Sequence, residues 1–395
     1  MYLNILTFWV NIYLDSEAVL DISLRTPMNN MQTVNKYVPD YLVTPGEVLE
    51  EHLEYAGLTQ VSLAERTGLS KKTINEIVKA KSAITAETAL KLERTLGRPA
   101  HFWSNLERQY QDDKTRLADK IRLEEDLHWL KIFPVNKMTK LGWIEKCKTK
   151  TQQLDALLRF FAVASVERWK TMWTRELQAA FRKTEDSQKD IALISAWLRR
   201  GEIIAQEQQC ARFDKQKFQN SLTEIRKLTI ADKNPAIFVP KLESICTASG
   251  VAVVFVPALR GLGIYGATRR LSDKYVMQLS LYGKTNDQLW FTIFHEACHI
   301  INHSQGELYI EGKGIENEKA KENEADVFAR DFLIPPEQLS LFLASFYKPT
   351  ILQIKRFAAS IGIAPGIVVG RLQHDKILPM SWGNDLKVRY KWVEG

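Results

Sequence analysis

The spacing of hydrophobic residues divides this chain into regions of different predicted structure. Between residues 44 and 96, apolar residues recur every three or four positions in short runs, which is typical of amphipathic helices. Each run follows a hydroxyl residue suited to a helix N-cap: Thr44, Thr59, Ser70 and Thr85. The pattern predicts helices from Pro45 to Gly57, over Gln60–Thr67, Lys71–Lys79 and Ala86–Leu96, with a tight turn at Gly68.

The next region, residues 112–234, has few glycines or prolines and is predicted to be almost continuously helical. The predicted breaks are Pro134, Gly142 and Gly201. Aromatic side chains at helical spacing are more often core than a binding groove. We therefore predict a buried aromatic core from Trp129, Phe133, Trp143, Phe160, Phe161, Trp169, Trp173 and Trp197.

A third pattern begins at residue 251, where short β-branched runs alternate with glycines. They predict strands at Val251–Val256, Ile264–Thr268 and Tyr275–Leu281, followed by a helix over Leu289–His303. The predicted fold is mainly α with a small β-sheet. We expect an N-terminal extension (1–36), an all-α helix-turn-helix domain (37–111), a helical connector (112–234) and an α+β domain (235–395).

Composition narrows the environment of the protein. The 395 residues carry a formal net charge of +7, which is compatible with nucleic-acid binding. The cysteines are few and widely spaced, which favours a reducing cytoplasm, and no apolar run is long enough to cross a membrane. The apolar N-terminal stretch lacks a basic n-region. It is either an extra packed segment or, as we favour, sequence upstream of a true start at Met28 or Met31.

The helical runs around Gly68 have the arrangement of a helix-turn-helix, whose recognition helix lies in the major groove of DNA. Residues 66–98 contain eight Lys or Arg against three Glu, a polarity suited to phosphate contact. The predicted DNA-binding residues are Lys71, Lys72, Thr73, Asn75, Lys79 and Lys81. The alternative is a small helical bundle whose basic face contacts protein.

Residues 37–110, with the segments TPGEVLEEHLEYAGLTQ and TINEIVKAKSAIT, resemble the HigA-type antitoxin branch of the lambda-repressor-like helix-turn-helix proteins. The resemblance implies a homodimer that binds operator DNA of its own promoter. It also implies a toxin as a partner that the protein neutralises.

The segment LWFTIFHEACHIINH carries the spacing H-E-x-x-H. On a helix, His295 and His299 lie one above the other and can bind one metal ion, while Glu296 lies beside them as a general base. A third histidine of the H-E-x-x-H-x-x-G-x-x-H pattern is excluded by Asn302 and Gln305.

The third ligand is expected in the segment ENEADVFARDFLIP. Glu322 and Asp326 fall on one side of a second helix, so Glu322 is assigned to the metal and Asp326 to holding a ligand imidazole. Glu324 remains the alternative ligand. His303 is assigned at most a surface or substrate-side role, although it joins Tyr265 and Tyr309 as a candidate oxyanion donor.

These two segments together, with IGIAPGIVVGRLQH downstream, resemble the ImmA/IrrE metallopeptidases. The resemblance implies a Zn²⁺-dependent, gluzincin-like endopeptidase that cleaves a partner repressor or a toxin-antitoxin-related protein, fused here to a helix-turn-helix. The alternative function is a HigA-like antitoxin and autorepressor that neutralises a toxin, with a structural or inactive metal site.

Overall fold

The computed structural model describes residues 18–20, 42–180, 188–303, 308–312, 318–346 and 348–392. These residues form two compact units, one within 42–128 and one formed by 18–20 and 129–392. The predicted N-terminal extension lies outside the described residues apart from 18–20, as do Met28 and Met31. Helices dominate and a small mixed sheet accompanies them, so the predicted fold class is confirmed.

The first unit consists of five helices, and local capping sets where the first four begin. These helices are α1 (Pro45–Tyr55), α2 (Gln60–Thr67), α3 (Lys71–Val78), α4 (Ala86–Leu96) and α5 (Ala100–Glu125). The predicted side-chain caps are confirmed, because Thr44, Thr59, Ser70 and Thr85 each accept a backbone N–H three residues on. Gly68 takes the left-handed conformation, with φ 70°, that turns the chain from α2 into α3.

The core of this unit draws on every helix. Leu49, Leu63, Ile74, Leu92 and Trp103 are fully buried. They come from α1 to α5 in that order, at positions that repeat with helical spacing. The polar faces of the same helices are therefore left to the surface.

The second unit contains the remaining helices. They are α6 (Val135–Lys140), α7 (Lys150–Phe161), α8 (Val166–Ala180), α9 (Gln188–Glu207), α10 (Lys215–Lys227), α11 (Pro235–Thr247), α12 (Asn286–Asn302), α13 (Lys319–Leu333), α14 (Pro336–Ser345), α15 (Ile351–Ile361) and α16 (Pro365–His374). Short 3₁₀ turns occupy Asp126–Ile132, Leu228–Ala231 and Asn384–Leu386. The predicted breaks at Pro134 and Gly142 are confirmed, because they flank α6.

The predicted break at Gly201 is wrong, because Gly201 lies inside α9. A Cβ at this position would come 1.8 Å from Oε1 of Gln278. The Gln278 amide in turn donates to the carbonyl of Trp197 across 2.7 Å. Gly201 therefore allows α9 to approach the sheet closely. The contacts made there offset the low helix propensity of glycine.

The sheets are formed by six short strands. These are β1 (Ala18–Leu20), β2 (Val251–Phe255), β3 (Ile264–Leu271), β4 (Lys274–Leu279), β5 (Tyr309–Gly312) and β6 (Tyr390–Trp392). Four of them form one sheet in the order β2-β4-β3-β5, where β2 and β4 are parallel and the other pairs are antiparallel. Strands β1 and β6 pair separately in parallel. The three predicted strands are confirmed within a few residues, whereas β5, an edge strand, was not predicted.

Helices cover the sheet on both faces. Helix α9 is bonded to it through Trp197, whose Nε1 donates to the carbonyl of Val256 across 3.0 Å. Helix α12 packs against β3 and β4 and also contacts α13 and α16. The predicted aromatic core is confirmed, because all eight of its side chains are buried. Residues 129–234 thus pack in the same unit as the sheet, while the four predicted domain boundaries remain a prediction.

The segment that leads into β6 fastens the start of α12. The backbone N–H of Asn286 donates to the carbonyl of Val388, and Val388 donates back to the Asn286 side chain. Lys387 forms an ion pair with Asp287 at 2.6 Å. The Asn286 amide also donates to the buried carboxyl of Asp232. The first turn of α12 therefore depends on residues about a hundred positions further along the chain.

All four cysteines are free thiols. No single helix in the described part of the chain is long and apolar enough to cross a membrane, although α15 and α16 together pass that test across a bend of 112°.

Candidate metal centre

Helix α12 carries the H-E-x-x-H motif through the centre of the second unit. Its ends are set by Thr285, which precedes it in an extended conformation, and by His303, which follows it. Most of its residues are buried, including His295, Glu296 and His299, each exposed by 1% or less. A helix that is buried on all sides is a core helix, so its polar residues need partners from other elements.

Three side chains converge at one point beside α12. The Nε2 atoms of His295 and His299 lie 3.1 Å apart. Glu322 of α13 places its carboxylate oxygens 3.2 Å from His295 Nε2 and 3.5 Å from His299 Nε2. The potential ligand atoms of all three residues lie within 4.8 Å of one another. The structure therefore brings together the two predicted histidines and the favoured third ligand.

The outer nitrogen of His295 is held by Asp326, as the sequence predicts. Nδ1 of His295 lies 3.0 Å from Oδ1 of Asp326, one helical turn beyond Glu322 on α13. Because a carboxylate only accepts, the imidazole donates from Nδ1, and its Nε2 faces the cluster.

His303 has a different position from the predicted one, so its surface or substrate-side assignment is wrong. It is buried behind His299, with the two Nδ1 atoms 2.9 Å apart. Its Nε2 lies 3.2 Å from Oε2 of Glu324. Four residues are slightly more than one helical turn, so the His303 side chain is rotated away from the possible ligands and points towards Glu324 on α13.

This chain of contacts fixes the protonation of His299. His303 donates from Nε2 to the Glu324 carboxylate, so its Nδ1 accepts the proton of His299 Nδ1. The lone pair of His299 Nε2 then faces Nε2 of His295, with the Glu322 carboxylate beside both. Without a metal ion, Nε2 of His295 shares a proton with Glu322; a divalent cation can replace that proton and bind all three groups. Glu324, the alternative ligand, is engaged with His303 and Asn302 rather than with this cluster.

The charges in the cluster favour protonation of His295 and disfavour protonation of His299. Against the opposing effect of burial, hydrogen bonds to Asp326 and Glu322 raise the pKa of His295 to about 11. Burial, together with the charge on His295, lowers the pKa of His299 to about 2. The surrounding carboxylates stabilise a positive charge on His295, and that charge disfavours a second positive charge on His299.

Glu296 lies beside the cluster with both carboxylate oxygens buried, and neither has a hydrogen-bond partner among the described residues. Burial raises the pKa of Glu296 to about 8. The carboxylate packs against the backbone of Gly266 on β3, where an added Cβ would lie 2.7 Å from its Oε1. Gly266 therefore makes the space that Glu296 occupies.

Glu311 is a further acid at this site that the sequence did not reveal. It lies on β5 opposite Gly266, and its Oε2 atom is buried without a partner among the described residues. Burial raises the pKa of Glu311, and a hydrogen bond from Thr292 opposes that shift. A four-residue strand between polar segments carries no periodic signal, so only the strand register brings Glu311 to the metal centre.

The tyrosines predicted as oxyanion donors lie on two sides of the cluster. The Tyr309 ring stacks on His299, with centroids 4.4 Å apart, and its hydroxyl lies 3.1 Å from Nζ of Lys321. Tyr265 packs edge-on against Tyr282 at 5.2 Å. Both ring nitrogens of His303 are engaged, with His299 and Glu324, so His303 is not available as the oxyanion donor, and the choice between Tyr265 and Tyr309 stays a prediction.

The predicted DNA-binding residues lie on and just after α3 in the first unit. Lys71, Lys72, Asn75, Lys79 and Lys81 are exposed. Thr73 is only partly exposed, because its hydroxyl lies 2.8 Å from that of the capping residue Ser70. The exposed surface of α3 is thus basic, while its apolar face points into the core.

Known protein families match both ends of the chain. Residues 49–103 match a family described as helix-turn-helix, and residues 246–372 match the IrrE N-terminal-like domain. Virulence-associated protein I of Dichelobacter nodosus is 44% identical over 79 residues, which are 20% of this chain and 72% of that protein. Antitoxin HigA-1 of Vibrio cholerae serotype O1 is 31% identical over 88 residues, 22% of this chain and 83% of the relative.

The chain belongs to the HigA-like helix-turn-helix family. A solved structure of the Pseudomonas aeruginosa antitoxin HigA with the higBA promoter is 30% identical and covers 22% of this chain and 94% of its own, with a TM-score of 0.21. Both resemblances predicted from the sequence are confirmed.

In this HigA-like protein, the two family matches enclose the two sets of predicted residues. The helix-turn-helix match contains α3 and Lys81, and the IrrE-like match contains His295, Glu296, His299, Glu322 and Asp326. The IrrE-like match also contains Gly266 and Glu311, which the structure adds to the site. The protein therefore combines a HigA-like helix-turn-helix domain with a region that matches the IrrE N-terminal-like domain in one chain.

Proposed function

We propose that the protein is a zinc-dependent endopeptidase that cleaves a regulatory protein and binds operator DNA through its helix-turn-helix domain. The observation that carries the proposal is the meeting of three possible ligands, His295 Nε2, His299 Nε2 and the Glu322 carboxylate, near the buried Glu296, whose carboxylate has no hydrogen-bond partner within the described part of the chain. A structural zinc site closes its fourth position with protein, whereas the described residues supply three ligands to this cluster. That difference supports a catalytic site.

In this proposal His295, His299 and Glu322 hold the ion. When bound, zinc supplies a Lewis acid and lowers the pKa of a water molecule towards neutrality. Asp326 holds His295 by its outer nitrogen, and His303 with Glu324 does the same for His299. These contacts fix the direction in which each imidazole presents its lone pair.

Glu296 is the proposed general base. Its carboxylate is buried next to His295 in the chain and has no hydrogen-bond partner among the residues that the structure describes, so it can accept the proton of the attacking water and deliver it to the leaving amine. Gly266 keeps the carboxylate in place by leaving no side chain to displace it. Strand β5 is an edge of the sheet beside the centre, which suits an extended peptide that adds as a further strand.

The proposed substrate is a partner repressor or a toxin-antitoxin-related protein. The relatives include an antitoxin, and the Pseudomonas protein was solved with a promoter. We extend promoter binding to the exposed residues of α3, with a homodimer as the binding form and the cytoplasm as the location.

A second candidate function is that of an antitoxin and autorepressor with a structural or inactive metal site. The observation that favours it is the name of the Vibrio relative, an antitoxin. In that case the protein neutralises a toxin by binding it, and Glu296 has no role.

The deciding experiment incubates the zinc-loaded full chain with the protein products of neighbouring genes and measures intact masses. We expect one product to be cut at a defined bond. Cleavage should stop with a chelator and with Glu296→Gln, and it should continue with Glu337→Gln, an exposed residue on α14.

Equal cleavage by the Glu296→Gln variant and the wild type would refute the peptidase proposal. A stable complex with a toxin, formed equally well by both proteins and never cut, would favour the second candidate.

A further inference from the structure

A cavity of about 670 Å³ lies at the start of α12, on the side of β3 and β4. Four aromatic residues line it, Tyr265, Tyr282, Tyr390 and Trp392. The Tyr390 ring itself is buried in the core, where its hydroxyl donates to the carbonyl of Asp232, so this residue lines the cavity through its backbone. A volume of this size is within the usual range of ligand sites in proteins. No function described above uses this cavity.

The cavity narrows towards the metal centre. A second, smaller pocket shares Tyr265, Tyr282, Lys284 and Gln288 with it and extends to Thr292. Thr292 lies one helical turn before Glu296, and both residues contact the place where a Cβ of Gly266 would lie. The smaller pocket therefore lies between the cavity and the surroundings of the proposed general base.

The wall of the cavity is built by the loop between β4 and α12. The backbone N–H of Tyr390 donates to the carbonyl of Lys284 across 2.8 Å, and Ser280 donates to the carbonyl of Tyr265 across 2.9 Å. Leu281 and Lys284 both have left-handed backbones, with φ values of 57° and 60°. Contacts with β3 and β6 hold this strained loop in one conformation, so the cavity is preformed.

The charge of the cavity is opposite to that of the metal centre. Its wall contains Lys284 and Lys391 but no aspartate or glutamate. Among the described residues, no ion pair with Lys284 is recorded. The metal centre has four carboxylates, on Glu296, Glu311, Glu322 and Asp326. A peptide that crosses both regions would place an acidic side chain in the cavity and keep it away from the centre.

We propose that this cavity is a substrate subsite that selects an aromatic side chain adjacent to an acidic one. The proposal rests on the peptidase function proposed above and names its preferred substrate class. The ring would pack among Tyr265, Tyr282 and Trp392, and the carboxylate would pair with Lys284.

The test uses internally quenched peptides in a Gly-Ser background that differ only in two adjacent residues: Phe-Glu, Phe-Lys, Ala-Glu or Ala-Lys. Their cleavage by the zinc-loaded full chain is followed by fluorescence. Their binding to zinc-loaded Glu296→Gln is measured by calorimetry. We expect Phe-Glu to exceed Ala-Lys by about a hundredfold in both, about tenfold each from ring and charge.

Two variants separate the two contributions. Lys284→Asn removes the charge with a residue that tolerates the left-handed backbone, and it should reduce the Glu-over-Lys preference about tenfold. Tyr282→Ala should instead reduce the Phe-over-Ala preference. Lys355→Asn, an exposed position on α15 outside the cavity wall, should change neither preference.

Equal cleavage rates and equal affinities for the four peptides would refute the subsite proposal. A Phe-Glu preference that is unchanged in both variants would also refute it. If no peptide is cut, the order of binding to Glu296→Gln decides the subsite alone, and the experiment with the products of neighbouring genes decides the peptidase function. N-acetyl-phenylalanine, added as a separate probe, should compete with the peptides. If it changes the cleavage rate without competing, the cavity is an effector site and the proposal is wrong.

Discussion

The two functional regions of this protein use polar side chains in opposite ways. On α3, lysines and Asn75 are exposed, and the ion pair of Lys72 with Glu76, at 3.8 Å, is a loose surface contact. At the metal centre, His295, Glu296 and His299 are buried, and most polar groups depend on another for orientation. Interactions of exposed groups are screened by water and salt, whereas interactions between buried groups are strong and depend on one another. Substitutions should therefore have small, additive effects in the first region and large, coupled effects in the second.

The largest effect is expected at the third ligand. Glu322→Gln removes one of three ligands and should weaken zinc binding by about a thousandfold, a loss of about 4 kcal/mol. Glu324→Gln, only two residues away, should weaken it far less, because Glu324 contacts His303 instead. Competition with a chromophoric chelator measures both affinities. Equal losses in the two variants would show that the ligand assignment is wrong.

Asp232, a buried acid outside the metal centre, should make the free energy of unfolding depend on pH. Burial raises the pKa of Asp232 from 3.8 to about 6, so the folded state binds a proton more tightly than the unfolded chain. The free energy of unfolding should then fall as pH rises from about 4 to about 6, by about 3 kcal/mol in total. Asp232→Asn keeps an acceptor for Asn286 and removes this loss.

Urea denaturation at pH 4 and pH 7 tests this prediction. The variant should be the more stable protein at pH 7, and the gap should narrow towards pH 4. A gap of constant size would mean that titration of Asp232 does not cause it.

The backbone beneath the proposed base should be nearly as sensitive. Gly266→Ala places a Cβ 2.7 Å from Oε1 of Glu296 and should displace this carboxylate. A displacement of about 1 Å lowers activity by about a hundredfold. Zinc stoichiometry should not change, because His295, His299 and Glu322 lie elsewhere. Loss of zinc together with activity would show a disturbed fold instead of a misplaced base.

A smaller effect is expected for a residue that only orients a ligand. Asp326→Asn should weaken zinc binding by about tenfold, within the range found for partners of ligating histidines. The same chelator competition measures it. An effect as large as that of Glu322→Gln would place Asp326 among the ligands.

The smallest effect belongs to the DNA-binding surface. Lys71→Ala should weaken operator binding by a few-fold and reduce the slope of log K against log salt by about 1. Lys120→Ala, an exposed lysine near the end of α5, is the matched control and should leave the slope unchanged. Gel-shift titrations over a range of salt concentrations measure both quantities. A loss independent of salt would break the contrast between exposed and buried groups.

The same contrast explains what the sequence could predict. Helices α2 and α4 agree with prediction to the residue, because their caps, Thr59 and Thr85, act within one turn. The spacing of His295 and His299 is equally local. By contrast, Glu311 reaches the centre only through strand register, and Gly201 was mistaken for a break because Gln278 lies about eighty residues away. Long-range contacts of this kind leave no periodic trace in a sequence.

The fastening of α12 by residues 387–390 also affects the order in which the chain becomes functional during synthesis. The first unit, within residues 42–128, emerges from the ribosome as a complete set of helices while the second unit is still being translated. Val388 and Lys387, which secure the first turn of α12, emerge more than two hundred residues later. A nascent chain can therefore fold its helix-turn-helix domain long before the cluster of His295, His299 and Glu322 is assembled.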